Sequence, residues 1–296
     1  MKVFLRILIA VILSLSFQQC GWCSNIALLI PTTLFLMGED PINYPEDKEF
    51  LLETMADMEP GLQWLVLHLE KDLGHLVNIY NSASDVPADV QAANDLIFIS
   101  EALGSGSIAA DYKNSKKPVI CTEFYLLDDM GLTNGQSSFT GGASNLDSTI
   151  KFVNTNHPIA QGLPAEFIVT INDEATGKPA VATFGTVTNP DLLHGVGEVL
   201  AVLPTSIDES ASGAELPENV PILIVVEKGT SLDNGGTSQA NWVFLGYSDV
   251  NPVADYGGVP GTRTLALLNA NGVKLLDNVV AWAFGQLTSV DQWTIF

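Results

Sequence analysis

Asp95-Leu96-Ile97-Phe98-Ile99-Ser100 is the stretch that decides the fold class. Its uninterrupted apolar run predicts a short strand with both faces buried, as strands of a parallel sheet are. Similar runs at 26–30, 75–80 and 117–121 predict three more strands, and helix-like stretches at 49–58 and 62–73 separate the first two runs. Because strands that alternate with helices form βαβ units, this half of the chain predicts a parallel sheet.

The second half of the chain predicts shorter strands separated by loops. Apolar runs of strand length occur at 150–153, 167–171, 180–184, 199–203, 222–226 and 242–245. An amphipathic helix follows, with Asn271 as its predicted N-cap and Gly285 as its predicted end. No linker divides the chain, so we predict a single domain over residues 25–285 and a C-terminal tail over residues 286–296.

The N-terminus has the pattern of an export signal. Lys2 and Arg6 precede an uncharged apolar run at 7–17, and polar or small residues follow it. This run is well short of the ~20 apolar residues that a membrane-spanning helix needs. We predict a signal peptide over residues 1–24, cleaved between Gly21 and Ser24, with an uncleaved anchor as the alternative. The mature protein is then periplasmic, extracellular or at the cell surface, and free of the membrane.

The net charge and the number of cysteines exclude some classes of function. The chain has 34 acidic against 12 basic residues and a net charge of −22. Nucleic acids require Lys- and Arg-rich surfaces, so we expect no nucleic-acid partner. Cys20 and Cys23 lie in the predicted signal peptide, which leaves Cys121 as the single thiol of the mature chain and no internal disulfide.

Several segments together resemble a known superfamily. They are Leu73-Gly74-His75, Asn94 to Ser100, Lys117 to Ile120 leading into Glu123 to Gly131, Asn156 to Leu163, and Leu275 to Gly285. In this set the chain resembles the secreted, ThuA-like branch of the class I glutamine amidotransferase-like superfamily. The resemblance implies a flavodoxin-like three-layer α/β sandwich with a mainly parallel sheet and β-rich loop insertions in the C-terminal half.

The amidotransferase catalytic set is incomplete in this sequence. The resemblance implies a Cys at the elbow after strand four, activated by a His and a Glu two residues apart. Glu123 occupies that elbow and Cys121 lies two residues earlier. The one His-x-Glu, formed by His68 and Glu70, comes before the elbow, in a predicted helix. We therefore expect no glutaminase activity and interpret Cys121 as a small buried apolar residue.

Glu123 is the first candidate site residue. Ligands of open α/β sheets bind at the carboxyl ends of the strands, where this elbow is predicted to lie. Its carboxylate could act as a general base, or could anchor sugar hydroxyls or a cation. The structural alternative is a cap that accepts hydrogen bonds from nearby backbone N–H groups.

A second candidate group follows strand three. Ser100 and Glu101 lead into Ser105, Gly106 and Ser107, and a short helix is predicted at 108–112. Backbone N–H groups at such a turn could hold an anion or a carboxylate. A flexible turn followed by a Ser N-cap is the alternative, because a Gly-Ser run alone has low specificity.

His157, in Asn156-His157-Pro158-Ile159, is the third candidate. With Glu123 it could form an acid and base pair, whereas an ordered turn before Pro158 is the structural alternative. The sequence has no zinc spacing and no EF-hand, so we expect neither a metal nor a cofactor.

Three functions remain open at this point. The first is a degenerate, exported domain that binds a small polar ligand or a protein partner. The second is an enzyme acting on a carbohydrate derivative through Glu123 and His157. The third is a structural or cell-surface assembly component. The first two share the hypothesis that Ser100, Glu123 and His157 form one polar pocket.

Overall fold

A computed structural model describes most of the chain. The described residues are 23–30, 48–58, 60–81, 85–103, 105–108, 111–133, 143–145, 148–172, 177, 179–180, 182–187, 190–208, 214–215, 217–247 and 264–287. The predicted signal peptide up to residue 22 and the predicted tail from residue 288 lie outside them. Among the described helices, none has the length and apolar character needed to cross a membrane.

Four α-helices and thirteen strands are described. The helices are α1 (Lys48–Met58), α2 (Pro60–Leu67), which continues into a π-helical turn (His68–Asp72), α3 (Pro87–Ala93) and α4 (Ala270–Ala283). The strands are β1 (Asn25–Ile30), β2 (Leu76–Asn81), β3 (Leu96–Ile99), β4 (Val119–Cys121), β5 (Ala143–Asn145), β6 (Thr149–Phe152), β7 (Glu166–Ile168), β8 (Ala182–Phe184), β9 (Glu198–Leu203), β10 (Ile207–Asp208), β11 (Ala214–Glu215), β12 (Val220–Val226) and β13 (Trp242–Leu245).

The main sheet is mixed, which corrects the predicted fold class. Its order is β2-β1-β3-β4-β13-β12-β9-β6-β7. The first five strands are parallel, whereas the pairs from β13 to β7 are antiparallel. The prediction of a mainly parallel, flavodoxin-like sandwich with C-terminal insertions is therefore wrong. The C-terminal strands complete the main sheet, and four of the short ones form a second sheet, β11-β10-β5-β8.

The physical reason for this error lies in the strands themselves. β12 is buried along its whole length, as a parallel strand would be, although both of its neighbours are antiparallel to it. Burial of both faces of a strand shows that other elements pack on both sides of the sheet, but it does not show in which direction the strand runs. Direction depends on whether the chain returns by a turn or by a crossover, which apolar runs do not encode.

Strand direction defines two edges of the main sheet. The five parallel strands all end at one edge, called here the carboxyl edge, and all begin at the other, the amino edge. β9 runs in the same direction as these strands, because it is antiparallel to β12, which is antiparallel to β13. β6 is antiparallel to β9, so β6 ends at the amino edge.

Two hydrophobic clusters cover the two faces of the sheet. Along β1, Ile26, Leu28 and Ile30 belong to the cluster that includes residues of α1, α2 and α4. Ala27 and Leu29 belong to the opposite cluster, which includes a residue of α3 and the irregular segments after β3 and β4. This alternation is the period of two expected of a strand, with both faces buried.

Helix α4 begins at a different cap from the predicted one. The side chain of Asn269, and not that of Asn271, accepts hydrogen bonds from the backbone N–H groups of Asn271 (2.9 Å) and Gly272 (3.1 Å). Asn269 also donates to the carbonyls of Ile168 and Thr170, which ties the helix to the end of β7. The predicted helix end is confirmed, since Gly285 has a positive φ of 71°.

Candidate functional site

The ends of β3 and β4 are joined by side-chain hydrogen bonds at the carboxyl edge. Thr122 donates to the carbonyl of Ile99 from both its backbone N–H (2.9 Å) and its hydroxyl (3.2 Å). The same hydroxyl accepts from the backbone N–H of Glu101 (2.8 Å). Ser100 is fully buried, and its hydroxyl accepts from the N–H of Ala102 (3.0 Å). Polar residues at these strand ends therefore shape the edge and are shielded from bulk water.

The segment after Ser100 differs from its prediction. Ser105–Ser107 forms a single turn of 3-10 helix, and the described residues of the predicted helix at 108–112 lie in turns. Ser105 is half-buried and Gly106 is exposed. One such turn aligns too few peptide dipoles to create the anion site of a longer helix. Ser105, Gly106 and the backbone of Ser107 therefore fit the alternative of a simple turn better than that of an anion-binding site.

Glu123 lies directly after β4 and is buried, with 4% of its surface exposed. Its carboxylate oxygen Oε1 accepts a hydrogen bond from the backbone N–H of Tyr125 (2.7 Å) and caps the 3-10 helix Phe124–Leu126. The capping alternative is thus observed for this oxygen. A carboxylate held in one rotamer at a strand end is also positioned in advance for a ligand.

Cys121 is the last residue of β4 and is fully buried. Its thiol donates to the carbonyl of Glu123 at 3.2 Å, within the hydrophobic cluster on that face. A catalytic Cys requires an exposed thiolate beside a cationic or basic partner. The prediction that Cys121 is a small buried residue is confirmed.

His157 lies at the opposite edge of the sheet from Glu123. It follows β6, which ends at the amino edge, and the negative charges of Glu198 and Glu227 act on it. Glu198 begins β9, and Glu227 follows the end of β12, so both also lie at the amino edge. The pocket that we hypothesised for Ser100, Glu123 and His157 together therefore does not form.

The surroundings of His157 explain its role in the fold. Its Nδ1 accepts from the N–H of Ile159 (3.2 Å), which caps the 3-10 helix Pro158–Ala160. Its ring lies against that of Trp282 in α4, at 5.4 Å between centroids. Burial lowers the pKa of His157. These contacts match the ordered-turn alternative, in which a neutral ring packs between a turn and a helix.

The distance between Glu123 and His157 excludes their joint action. β13, β12 and β9 separate β4 from β6 in the sheet, and neighbouring strands lie ~4.8 Å apart. An acid and a base that act on one substrate must both reach its reacting atoms within hydrogen-bond distance. Four strand spacings amount to about 19 Å before the separation of the two edges is added.

Sequence reasoning missed two residues of the carboxyl edge. Thr122 was not considered, although it stands beside Glu123. Thr186 is fully buried, and its hydroxyl has no hydrogen-bond partner in the described part of the chain. The neighbouring Gly185 approaches the ring of Phe124 and the carbonyl of Thr122. For Thr122 the available signal was a polar residue directly after a strand, the same signal that identified Ser100.

The chain reverses its winding at the carboxyl edge beside Ser100. From β1 it crosses to β2 on one side, and from β3 it continues to β4 on the other side. The neighbouring ends of β1 and β3 therefore form a topological switch point. Ser100, Glu101 and Ser105 follow β3 at this point. No three His, Cys, Asp or Glu side chains among the described residues are grouped so that they could hold a metal ion.

Solved structures that this chain resembles include two that match it at low sequence identity. A protein from Bacteroides uniformis named as ThuA-like shares 12% identity, with 87% of this chain and 90% of that chain covered and a TM-score of 0.44. A β-galactosidase from Bifidobacterium adolescentis shares 12% identity, with 87% and 98% covered and a TM-score of 0.19. No family model matches the chain, and no curated protein matches it.

Proposed function

We propose that this protein is an exported, ThuA-like domain without amidotransferase chemistry that binds a small polar ligand at the carboxyl edge. A carbohydrate derivative is the ligand class that the sequence resemblance suggests. Glu123 is the proposed anchor, through hydrogen bonds from ligand hydroxyls. Ser100, Glu101 and Ser105 contribute the neighbouring strand end.

The observation that carries the proposal is the coincidence of a topological switch point with buried polar strand ends. Ligands of open α/β sheets bind in the crevice outside such a point. Ser100 and Thr122 are fully buried and Glu123 nearly so, within one pair of neighbouring parallel strands. A ligand there would meet oriented polar groups in a site of low dielectric constant, where each hydrogen bond is stronger than in water.

The alternative of an enzyme acting on a carbohydrate derivative lacks a second catalytic group beside Glu123. Its acid and base pair required Glu123 beside His157, which the sheet order separates. Cys121 is buried and donates to a backbone carbonyl, so it supplies no nucleophile at this edge. Binding without turnover therefore accounts better for the carboxyl edge than acid/base catalysis does.

Thermal-shift measurements on the wild type and on Glu123→Gln test the proposal. The screen covers sugars, sugar acids, glutamine and divalent cations. A ligand at 100 times its dissociation constant adds ~2.7 kcal/mol to the free energy of unfolding. Glutamine retains an acceptor oxygen, so the cap on Tyr125 can persist in the variant.

Glu166→Gln is the matched control, because Glu166 is an exposed glutamate on the edge strand β7. We expect a ligand whose stabilising shift is lost in Glu123→Gln and kept in Glu166→Gln. A shift that survives in both variants would remove Glu123 from the site. No shift with any compound would contradict small-ligand binding and favour a protein partner.

A further inference from the structure

Three of the four histidines surround the C-terminal half of α4. They are His68 in the π-helical turn, His75 directly before β2, and His157 in the turn after β6. Their contacts on the helix or its C-cap are, in the same order, Asp277, Phe284 and Trp282. Histidine is the side chain whose charge changes between about pH 5 and pH 8, so the contacts of this half of the helix depend on pH.

His157 must be neutral to keep its present hydrogen bond. Its Nδ1 accepts from the N–H of Ile159 at 3.2 Å, so this nitrogen carries no proton. Protonation would turn the acceptor into a donor that faces another donor. The turn that His157 caps is tied to α4, because Asn278 donates to the carbonyls of Ile159 (2.8 Å) and Gln161 (2.9 Å). Loss of the cap therefore weakens a contact of the helix.

His75 also resists protonation where it lies. Its ring stacks on that of Phe284 at 5.1 Å between centroids, and its Nδ1 is buried without a hydrogen-bond partner in the described part of the chain. In an imidazolium ring both nitrogens carry a proton, so Nδ1 would be a buried donor of a charged group with no acceptor. The charged side chains near this ring are those of Lys71, Asp72 and Asp277.

Both of these histidines stabilise the folded protein less in acid. Burial lowers the pKa of His75 and of His157, and the charges of Glu198 and Glu227 oppose the shift at His157. A histidine with a lowered pKa in the folded state stabilises the protein above its unfolded pKa of about 6.5. This stabilisation is lost as the pH falls through the folded pKa.

His68 acts on an earlier part of the helix and in the opposite direction. Its hydrogen bond to Asp277, together with that to Asp72, raises its pKa, so acid strengthens the contact at Asp277. Trp282 and Phe284 lie more than one helical turn further along, since a turn takes ~3.6 residues. Acid therefore holds the helix at Asp277 and weakens its contacts beyond that residue.

We propose that the last turn of α4 detaches from the core when the protein enters an acidic medium, while the helix stays anchored at Asp277. His75 and His157 are then charged and solvated. The ring of Trp282, buried at neutral pH, and that of Phe284, which packs on the same hydrophobic cluster, become exposed. Exposed apolar patches mark interaction sites, so acid creates a surface that the neutral form lacks. This change is independent of the proposed carboxyl-edge site.

Amide hydrogen exchange resolved to single residues tests the proposal, at about pH 7.5 and about pH 5. The reporters are the N–H groups of Phe284, Gly285 and Gln286, which bond to carbonyls of the last turn. The reference is the N–H of Val273, which bonds to the carbonyl of Asn269 at the start of α4. We expect the protection factors of the reporters to fall by about tenfold or more in acid, and that of Val273 by less than about threefold. No fall at the reporters, or an equal fall at both ends, would overturn the proposal.

Two variants assign the response to the histidines. His75→Phe keeps a ring to stack on Phe284, and His157→Asn keeps an acceptor at the cap. We expect each to reduce the fall at the reporters by about threefold, because each removes one of the two protonations. His194→Gln is the matched control, since His194 is 48% exposed and bonds to Asp233 in the loop before β13. Circular dichroism at neutral pH shows whether each variant is folded. A full acid response in the folded His75 and His157 variants, or its loss in His194→Gln, refutes the proposal.

Discussion

His68 makes the stability of this protein depend on pH in a way that Asp277→Asn should remove. His68 is nearly buried and bridges the π-helical turn to α4 through its bonds to Asp72 and Asp277. An imidazolium ring has two N–H donors and serves both carboxylates, whereas a neutral ring has one donor. The hydrogen bond that the His68 ring donates to Asp277 is the main cause that raises the pKa of His68 above 6.5, and the hydrogen bond to Asp72 adds to it.

The sign of the effect follows from the raised pKa. A histidine with a higher pKa in the folded state stabilises the protein fully below its unfolded pKa of 6.5, and this stabilisation is lost as the pH rises through the folded pKa. A charge-assisted hydrogen bond contributes ~1.5–3 kcal/mol and a neutral one ~0.5–1.5 kcal/mol. We therefore expect Asp277→Asn to lower the free energy of unfolding by about 1–1.5 kcal/mol at low pH and by less above the folded pKa.

Urea unfolding from about pH 5.5 to about pH 9 measures this difference, since carboxylates stay ionised over the whole range. Asp72→Asn is the matched control, because the Asp72 side chain is 67% exposed and that of Asp277 is 29% exposed. Exposed pairs are worth little, so the control should show a smaller loss. A difference between wild type and Asp277→Asn that is constant with pH, or that grows as the pH rises, would refute this reasoning.

Three further predictions concern packing and caps. Gly246→Ala should lower the free energy of unfolding, measured with urea, by several kcal/mol, because the added Cβ would clash with a backbone carbonyl. Gly106→Ala is the control and should change the stability little, because a Cβ at Gly106 would face open space. Equal losses in the two variants would contradict the close packing at Gly246. Asn269→Ala should lower the free energy of unfolding by about 1–2 kcal/mol and Asn271→Ala by about 0.5 kcal/mol or less, because Asn269 caps α4. The reverse order would show that Asn271 is the cap, as the sequence predicted. Cys121 should react with a thiol reagent only when the protein unfolds, as mass spectrometry would show, and labelling of the native state would contradict its burial.

The N-terminal half of the fold follows closely from its apolar runs. The predicted strands at 26–30, 75–80, 95–100 and 117–121 correspond to β1 to β4, with ends that differ by one or two residues. The helices predicted at 49–58 and 62–73 are confirmed as well, and the second is followed by Gly74 with a φ of 75°, whereas the short helix predicted at 108–112 is wrong, because its described residues lie in turns. Local pattern is sufficient here because β1, β3 and β4 are buried along nearly their whole length, β2 alternates between buried and more exposed residues, and α1 and α2 each have an apolar face.

The candidate site was predictable only in part. Strand ends identified Ser100 and Glu123, and both lie at the carboxyl edge. His157 was grouped with them through the family resemblance, and the sheet places it at the opposite edge, because β6 runs antiparallel to β9. The bridge that His68 forms between Asp72 and Asp277 was beyond sequence reasoning, because these two carboxylates are 205 positions apart in the chain.

The sequence by itself determined which segments are buried strands, that the amidotransferase set is incomplete, and that the protein is strongly acidic. These properties depend on residue identity and on local spacing. The tertiary structure alone decided the direction of β12 and β6, and with it the edge at which each polar residue lies. The physical reason is that burial lowers the free energy of an apolar strand about equally in either direction, so direction is fixed by how the chain connects and pairs its strands.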